Sequence, residues 1–452
     1  MKKILNLRFS SFHLPVEFSY YNYDQMYVKD RQNHWYRFIL FIGILIFIIQ
    51  VLSYIPEQRS NTKNGNFWPY FYEELPENSM DIVFMGSSHS KTTFIPEIID
   101  DILGTESIHV NTSGESIYQT IYEYQEVLRY QNPQVVVMET YPIYAGLTQE
   151  ELKPWNFSFF YSMPMTMRKL MYSHHFFSDG DLLKFYLPYT SDHSDWKNPD
   201  IPISRAYTEL KMIKDNRGSE RHIELEHRGY ENYLVSLLPG QIKIEPPDET
   251  APCPIPDFEG RLSVTEDILK INQKHSEDLL FIETPQYINK YENCRDQALE
   301  LIEGYEVSYE TLFNDQDRSL LWFGDHQHMT QFGAIIASVE TAELLSHKLN
   351  IQMHPEPLNY YRSLFFQDYT LVHEGDNLSI NLIPVNDEAV TDLVFRWEVF
   401  LDGKSVYIIK EKGENILEYT LPEPTGEYFI HIMITNPARD YSLRGGFDLN
   451  LE

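Results

Sequence analysis

The stretch Asp81-Ile82-Val83-Phe84-Met85-Gly86-Ser87-Ser88-His89-Ser90 decides how the rest of the chain is read. Its first half is a continuous apolar run closed by a glycine. That is the pattern of a short strand covered on both faces, as in a parallel sheet sandwiched by helices. Its second half is a cluster of hydroxyls, so a serine is delivered to the carboxyl end of a strand, where open α/β folds place their sites.

The same rhythm repeats downstream. The segment from Thr92 to Leu103 reads as a helix, Ser107 to Asn111 (SIHVN) as a second strand, Tyr118 to Tyr130 as a helix, and Gln134 to Glu139 (QVVVME) as a third strand. It resumes with a helix around Thr265 to His275, the strand Asp278 to Glu283 (DLLFIE) and a last helix from about Ala334 to Leu349. Strands alternating with helices predict a parallel sheet between helical layers. Between them, residues 145–245 crowd Met, Phe and Tyr between charges and scatter His174, His175, His193, His222 and His227, which suggests a mostly helical insertion over the sheet's edge. Prolines 246, 247, 252, 254 and 256 then mark an extended loop.

Beyond about Pro355 the period changes to two. LSINLIP, LVFRWEVFL, KSVYIIK, ILEYTL and EYFIHIMIT are rich in β-branched and aromatic residues, and Asp402-Gly403 separates two of them as a hairpin turn. Residues 356–452 are therefore expected to form a small antiparallel β-sandwich.

At the other end, Phe38 to Ile55 (FILFIGILIFIIQVLSYI) is 18 residues without a charge, long enough for a membrane-crossing helix. It follows 37 residues holding six Lys or Arg against three Asp or Glu, and Trp35, Tyr36 and Tyr54 flank it. The charge bias keeps 1–37 cytoplasmic and sends everything after the span outside, with 56–80 as a polar extracytoplasmic linker. The expectation is a single-pass protein of the cell membrane, touching lipid through one helix.

Composition narrows the partners. A net charge of -31 excludes the basic clusters that nucleic-acid binding needs, and 42% apolar with 14% aromatic residues excludes a disordered chain. Cys253 and Cys294 lack zinc-site spacing, so no metal and no cofactor is expected; outside the membrane they either pair or remain two buried thiols.

The chemistry-bearing residues fall at the two ends of the 81–350 region. Near its close runs Gly324-Asp325-His326-Gln327-His328-Met329-Thr330-Gln331-Phe332-Gly333-Ala334. Asp325 and His328, three apart, can meet on one side of a turn, the carboxylate holding one imidazole nitrogen while the other faces a serine. A serine hydroxyl needs such a base, and the imidazolium needs a fixed anion. His326 has the wrong spacing for that role.

These blocks resemble the SGNH or GDSL hydrolases, whose nucleophile stands two places after a glycine ending the first strand and whose late Asp-x-x-His supplies its partners. The match falls on Gly86-Ser87-Ser88, with Ser for the usual Asp, and on Asp325 to His328. The family's second glycine falls on Gly114. The resemblance implies a flavodoxin-like three-layer α/β/α domain over 81–350, a catalytic set of Ser88, Asp325 and His328, and oxyanion donors from the amides of Ser88 and Gly114. It departs at the third block, where Met138-Glu139-Thr140-Tyr141-Pro142 replaces an Asn-bearing loop. A carboxylate there repels developing negative charge unless it is protonated or turned away.

The resulting expectation is a membrane-anchored serine esterase or O-acyltransferase. Its substrate would be an acylated cell-envelope polysaccharide or another ester, with a membrane acyl-transfer partner as a further candidate. The alternative is an inactive scaffold or polysaccharide-binding protein on the same fold.

Overall fold

The computed structural model describes residues 35–45 and 67–144, most of 253–451, and short stretches within 151–182 and 228–238. The chain divides into two compact units, Met1–Gln58 with Leu183–Lys211, and Arg59–Leu182 with Met212–Glu452. In the first, residues 35–45 are helical and expose Phe38, Ile39, Leu40, Phe41, Ile44 and Leu45. Among the described residues no helix is long and apolar enough to cross a membrane. The expected span 38–55 runs on from that helix into residues 46–55, which lie outside the described residues.

The second unit is built on a five-stranded parallel sheet of order β2-β1-β3-β4-β5. Its strands are β1 (Ile82–Met85), β2 (Ser107–His109), β3 (Val135–Glu139), β4 (Asp278–Glu283) and β5 (Ser308–Thr311). Every residue of β1, β2 and β3 is buried, as their unbroken apolar runs require of strands covered on both faces. The helices sort into two packed groups. One holds α1 (Ser88–Thr93), α2 (Pro96–Leu103), α6 (Gln331–Leu349) and α7 (Pro355–Arg362), and the other α3 (Ile117–Tyr130), α4 (Phe258–Asn272) and α5 (Glu292–Gly304). This order is that of a doubly wound sheet, with its switch point between β1 and β3, where the connections leave in opposite directions and open a crevice.

Several expectations shift. The single helix read from Thr92 to Leu103 is two, because Pro96 lacks an amide hydrogen and disfavours helical backbone at the residue before it; Phe94 and Ile95 are extended. Helix α5 and edge strand β5 stand between β4 and the His328 loop in addition to the expected elements. The linker assigned to 56–80 is corrected at its far end. Residues 67–74 form helical turns that bury Phe67, Trp68 and Phe71, while the Tyr72 hydroxyl donates to Glu126 at 2.6 Å. Six residues reading FWPYFY carry too much aromatic surface to leave in water. Cys253 and Cys294 form a disulfide that fastens the approach to α4 onto α5.

The C-terminal residues form two antiparallel sheets. Strands β6 (Phe366–Glu374), β7 (Asn377–Pro384) and β10 (Ile416–Thr420) make the smaller, in order β10-β7-β6. Strands β8 (Val394–Leu401), β9 (Lys404–Lys412), β11 (Gly426–Thr435) and β12 (Ser442–Leu451) make the larger, in order β12-β11-β8-β9. Alternating burial along β7, β8 and β11 turns one face of each sheet inward, where Phe366 meets Phe395 and Tyr369 meets Phe447. Asp402 and Gly403 both take positive φ in the turn between β8 and β9. The sandwich is fused to the parallel-sheet region. Phe332 of α6 packs on Phe366, and a Cβ on Gly445 of β12 would lie 2.2 Å from the Phe332 ring. Trp322 Nε1 donates to the Phe366 carbonyl at 2.8 Å, so one hydrophobic core runs through both parts.

Candidate active site

Parallel strands bring their carboxyl ends to one edge, and β1, β2 and β3 are neighbours there. The turn after β1 starts α1 at Ser88, with Ser87 as its N-cap accepting from the His89 amide at 3.2 Å. Capping fixes the entry of the helix and with it the position of Ser88. Ser88 Oγ lies 2.8 Å from His328 Nε2, and His328 Nδ1 lies 2.7 Å from Asp325 Oδ2. The other Asp325 oxygen accepts from the amides of Gln327 (2.7 Å) and His328 (2.8 Å), so the carboxylate clamps both backbone and ring of its own turn. Burial alone would raise the Asp325 pKa, but the hydrogen bond and charge of His328 and those two amides outweigh it and hold the group down at about 2. An anion so fixed selects the tautomer that carries hydrogen on Nδ1, leaving Nε2 as acceptor toward Ser88 Oγ.

Two rings frame His328. Tyr233 stacks on it with centroids 5.0 Å apart and planes 8° from parallel, and His89 meets it edge-on at 5.2 Å. His89 is buried and itself stacks on Tyr141 at 3.8 Å; burial first, then the neighbouring His328, push its pKa well below the usual imidazole range. It therefore sits neutral beside the base.

Tyr233 belongs to a short strap, residues 230–233, at the far end of the expected insertion. Its backbone bridges Thr330, the Glu231 amide donates to the Lys91 carbonyl at 2.9 Å, and Glu231 Oε2 accepts from Ser113 Oγ at 3.1 Å. Gly324 permits the approach, since a Cβ there would stand 2.6 Å from the Tyr233 ring. The strap thus joins three loops: α1 after β1, the Ser113-Gly114 turn after β2, and the His328 loop. Most of 145–245, including His193, His222 and His227, lies outside the described residues.

Gly114 stands in that turn at φ +68, emerging at the same sheet edge as Ser88. Glu115 ties the turn down, accepting from the Thr112 amide (2.8 Å) and the Thr120 hydroxyl (2.6 Å). Burial raises Glu115 to about 7 and Glu123 well above the ordinary range, the latter also through its neighbour Glu115. The amide of Ser88, in the first turn of α1, has no intrahelical acceptor.

Glu139 ends β3 across the crevice, and its burial decides between the alternatives the sequence left open. The carboxyl is buried and accepts from the Ser87 amide (3.2 Å), the Ser87 hydroxyl (2.9 Å) and the Tyr141 amide. Burial pushes its pKa up to about 8 against the lowering effect of those bonds, so near neutral pH it carries a proton. It braces the turn that presents Ser88 instead of opposing charge there. Gly86 makes this contact possible: at φ +139, a Cβ would lie 2.6 Å from Glu139 Cβ and 2.9 Å from Oε2. A strand-ending glycine opposite a strand-ending glutamate was the available signal.

No family model matches the chain, and no curated protein matches it. Among solved structures it is similar to a gut microbial diltiazem-metabolizing enzyme, with a TM-score of 0.26 and 8% identity over 74% of this chain and 70% of that one. It is also similar to a calcium-binding mutant of Bacteroides uniformis beta-glucuronidase 2, with a TM-score of 0.15 and 11% identity over 83% of this chain and 41% of that one. Likenesses this distant carry no argument about activity.

Proposed function

We propose that this protein is a serine-dependent acyl-ester enzyme of the SGNH type, acting outside the membrane on acylated glycans of the cell envelope. The observation that carries the reading is the continuous relay from Ser88 Oγ through His328 to Asp325. Ser88 Oγ attacks the acyl carbonyl while His328 Nε2 takes its proton, and the amides of Ser88 and Gly114 receive the oxyanion. Collapse breaks the ester bond, and the departing alkoxide takes the proton from His328. Water or a sugar hydroxyl then attacks the acyl-serine with His328 again as base, restoring Ser88 and releasing an acid or a new ester.

The envelope setting rests on the uncharged run 38–55, the exposed apolar residues of helix 35–45 and the Cys253–Cys294 disulfide, which suits an oxidising compartment. A membrane-embedded acyl donor fits the same setting as partner. The test is acetate release from an aryl acetate and from acetylated glycans by the full chain in detergent. Turnover of either is expected; folded protein inert toward both, with no acyl transfer to a sugar, would remove the reading.

A further inference from the structure

Asp325 holds one edge of the His328 imidazole, at Nδ1, and a hydrogen bond at an edge constrains the tilt of a ring only weakly. Tyr233 supplies a second constraint, lying against the ring with planes 8° from parallel and centroids 5.0 Å apart. We propose that Tyr233 is a positioning residue of the Ser88 site: its ring face sets the plane of the His328 imidazole and stabilises the imidazolium formed when His328 takes the serine proton. The proposal deepens the esterase reading and rests on it for the effect on rate, while the contact itself stands without it.

The chain secures this ring from both sides. Before it, the Glu231 amide donates to the Lys91 carbonyl of α1 at 2.9 Å, and Asn232 Nδ2 donates to Gln331 Oε1 at 3.3 Å. After it, the Ser236 amide donates to the Gly446 carbonyl (2.9 Å), the Ser236 hydroxyl to the Leu321 carbonyl (3.0 Å) and the Leu237 amide to the Phe323 carbonyl (2.8 Å). At Tyr233 itself the backbone bridges Thr330, two residues beyond His328. Gly324 completes the seat, because a Cβ there would stand 2.6 Å from the Tyr233 ring and 3.0 Å from the Val235 carbonyl oxygen. Core filling does not account for this placement. The ring stays half-buried, and what it covers is a polar imidazole.

The charges around His328 decide what the ring contributes. The titratable groups there are Asp325 and His326 of its own turn, His89 of α1, and Tyr233 and Glu231 of the strap. His89 is neutral, so it sets no second cation beside the imidazolium. Burial, then Asp325 and Glu231, push the Tyr233 hydroxyl up from its ordinary range, so the ring remains an uncharged phenol. A cation within ~6 Å of such a ring's centroid and over its face is attracted by the ring quadrupole. Asp325 therefore meets the new charge at the edge of the imidazolium and Tyr233 meets it from the face.

The test compares Tyr233→Leu, which removes the aromatic face, with Tyr233→Phe, which keeps it. With the full chain in detergent and an aryl acetate as substrate, Tyr233→Leu is expected to lose kcat/KM about threefold to tenfold near pH 8, and Tyr233→Phe to recover the rate to within about twofold of wild type. Without the face the imidazolium is less stable, so the acid limb of the Tyr233→Leu profile should move to lower pH by about half a unit to one unit. A merely structural loss would lower the profile equally at every pH. Gly324→Ala, whose methyl displaces the Tyr233 ring, should reproduce the Tyr233→Leu profile and change it by less than about twofold in the double variant. Carbon-13 histidine labelling gives a readout that needs no turnover. The His328 signal, identified by its absence in His328→Ala, should carry a ring-current shift in wild type and Tyr233→Phe, lose it in Tyr233→Leu, and titrate there at lower pH. The proposal is overturned if the Tyr233→Leu profile falls in parallel with wild type, if Tyr233→Phe is as slow as Tyr233→Leu, or if the His328 signal and its titration are the same in all three proteins. An inert wild type would count against the ester reading instead, and the His328 titration alone would then decide the role of Tyr233.

Discussion

Replacing Ser88 with alanine is expected to lower kcat/KM on an aryl acetate by at least ~10³-fold, and His328→Ala by a similar factor. The informative result is their combination. Ser88 and His328 share one proton across a 2.8 Å contact, so removing either abolishes the same step. The double variant should be no slower than either single one within about threefold, whereas independent contributions would multiply to ~10⁶. Asp325→Asn should cost on the order of 10³–10⁴, because an amide oxygen can accept from Nδ1 but stabilises the imidazolium less and can impose the other tautomer. All three are measured as initial rates on folded protein with matched melting curves. Multiplicative losses would mean that the hydrogen-bonded set does not act as one unit.

Glu139 carries the second large effect, and its sign follows from protonation. In the folded chain the carboxyl keeps its proton to about pH 8, against an ordinary value of 4.5. Between those values the folded state binds a proton that the unfolded state has lost, so stability present below about pH 4.5 declines as pH rises toward 8. The full loss is on the order of 5 kcal/mol from this one group. Glu115, raised to about 7, adds to the slope in the same direction. Glu139→Gln should cost about 1–2 kcal/mol at pH 5, since an amide cannot accept from both the Ser87 and Tyr141 amides. Its stability should then fall less with pH, so the two urea-unfolding profiles should cross at about pH 6–7 and leave Glu139→Gln the more stable protein by about 2 kcal/mol at pH 8. Activity should follow the same logic. Above about pH 8 the wild type gains a negative charge behind the Ser87-Ser88 turn and loses rate, and Glu139→Gln should extend the plateau. Parallel stability profiles in the two proteins would show that Glu139 is ionised throughout.

What the sequence displayed and what it concealed follow from packing. Strands β1, β3 and β4 were legible because burial on both faces leaves continuous apolar runs. Strand β5, SYET, is a short edge strand with exposed and half-buried residues alternating, and nothing in its composition marks it. Strand β12 was hidden by Gly445 and Gly446, which weaken a strand pattern locally. They are needed because Phe332 and Phe429 occupy the space where a Cβ would stand. Strand β6 was blurred by an irregular register between Phe366 and Asp368.

The site divides the same way. Ser88, Asp325 and His328 could be placed because a strand end and a tight turn fix them locally. Tyr233 could not, because its ring reaches His328 from a segment whose sequence carries no period. Glu139 was visible but its charge was left open, since a sequence shows an acid's type and not the burial that sets its protonation.

The most direct measurement of the central claim is covalent labelling of the folded full chain by a fluorophosphonate, followed by mass mapping of the peptide that spans residues 81–103. A single adduct on Ser88, lost in His328→Ala, is the expected result. Folded protein that takes no label, or that takes it on Ser87 or Ser90 instead, would contradict the assignment of Ser88 as the activated nucleophile.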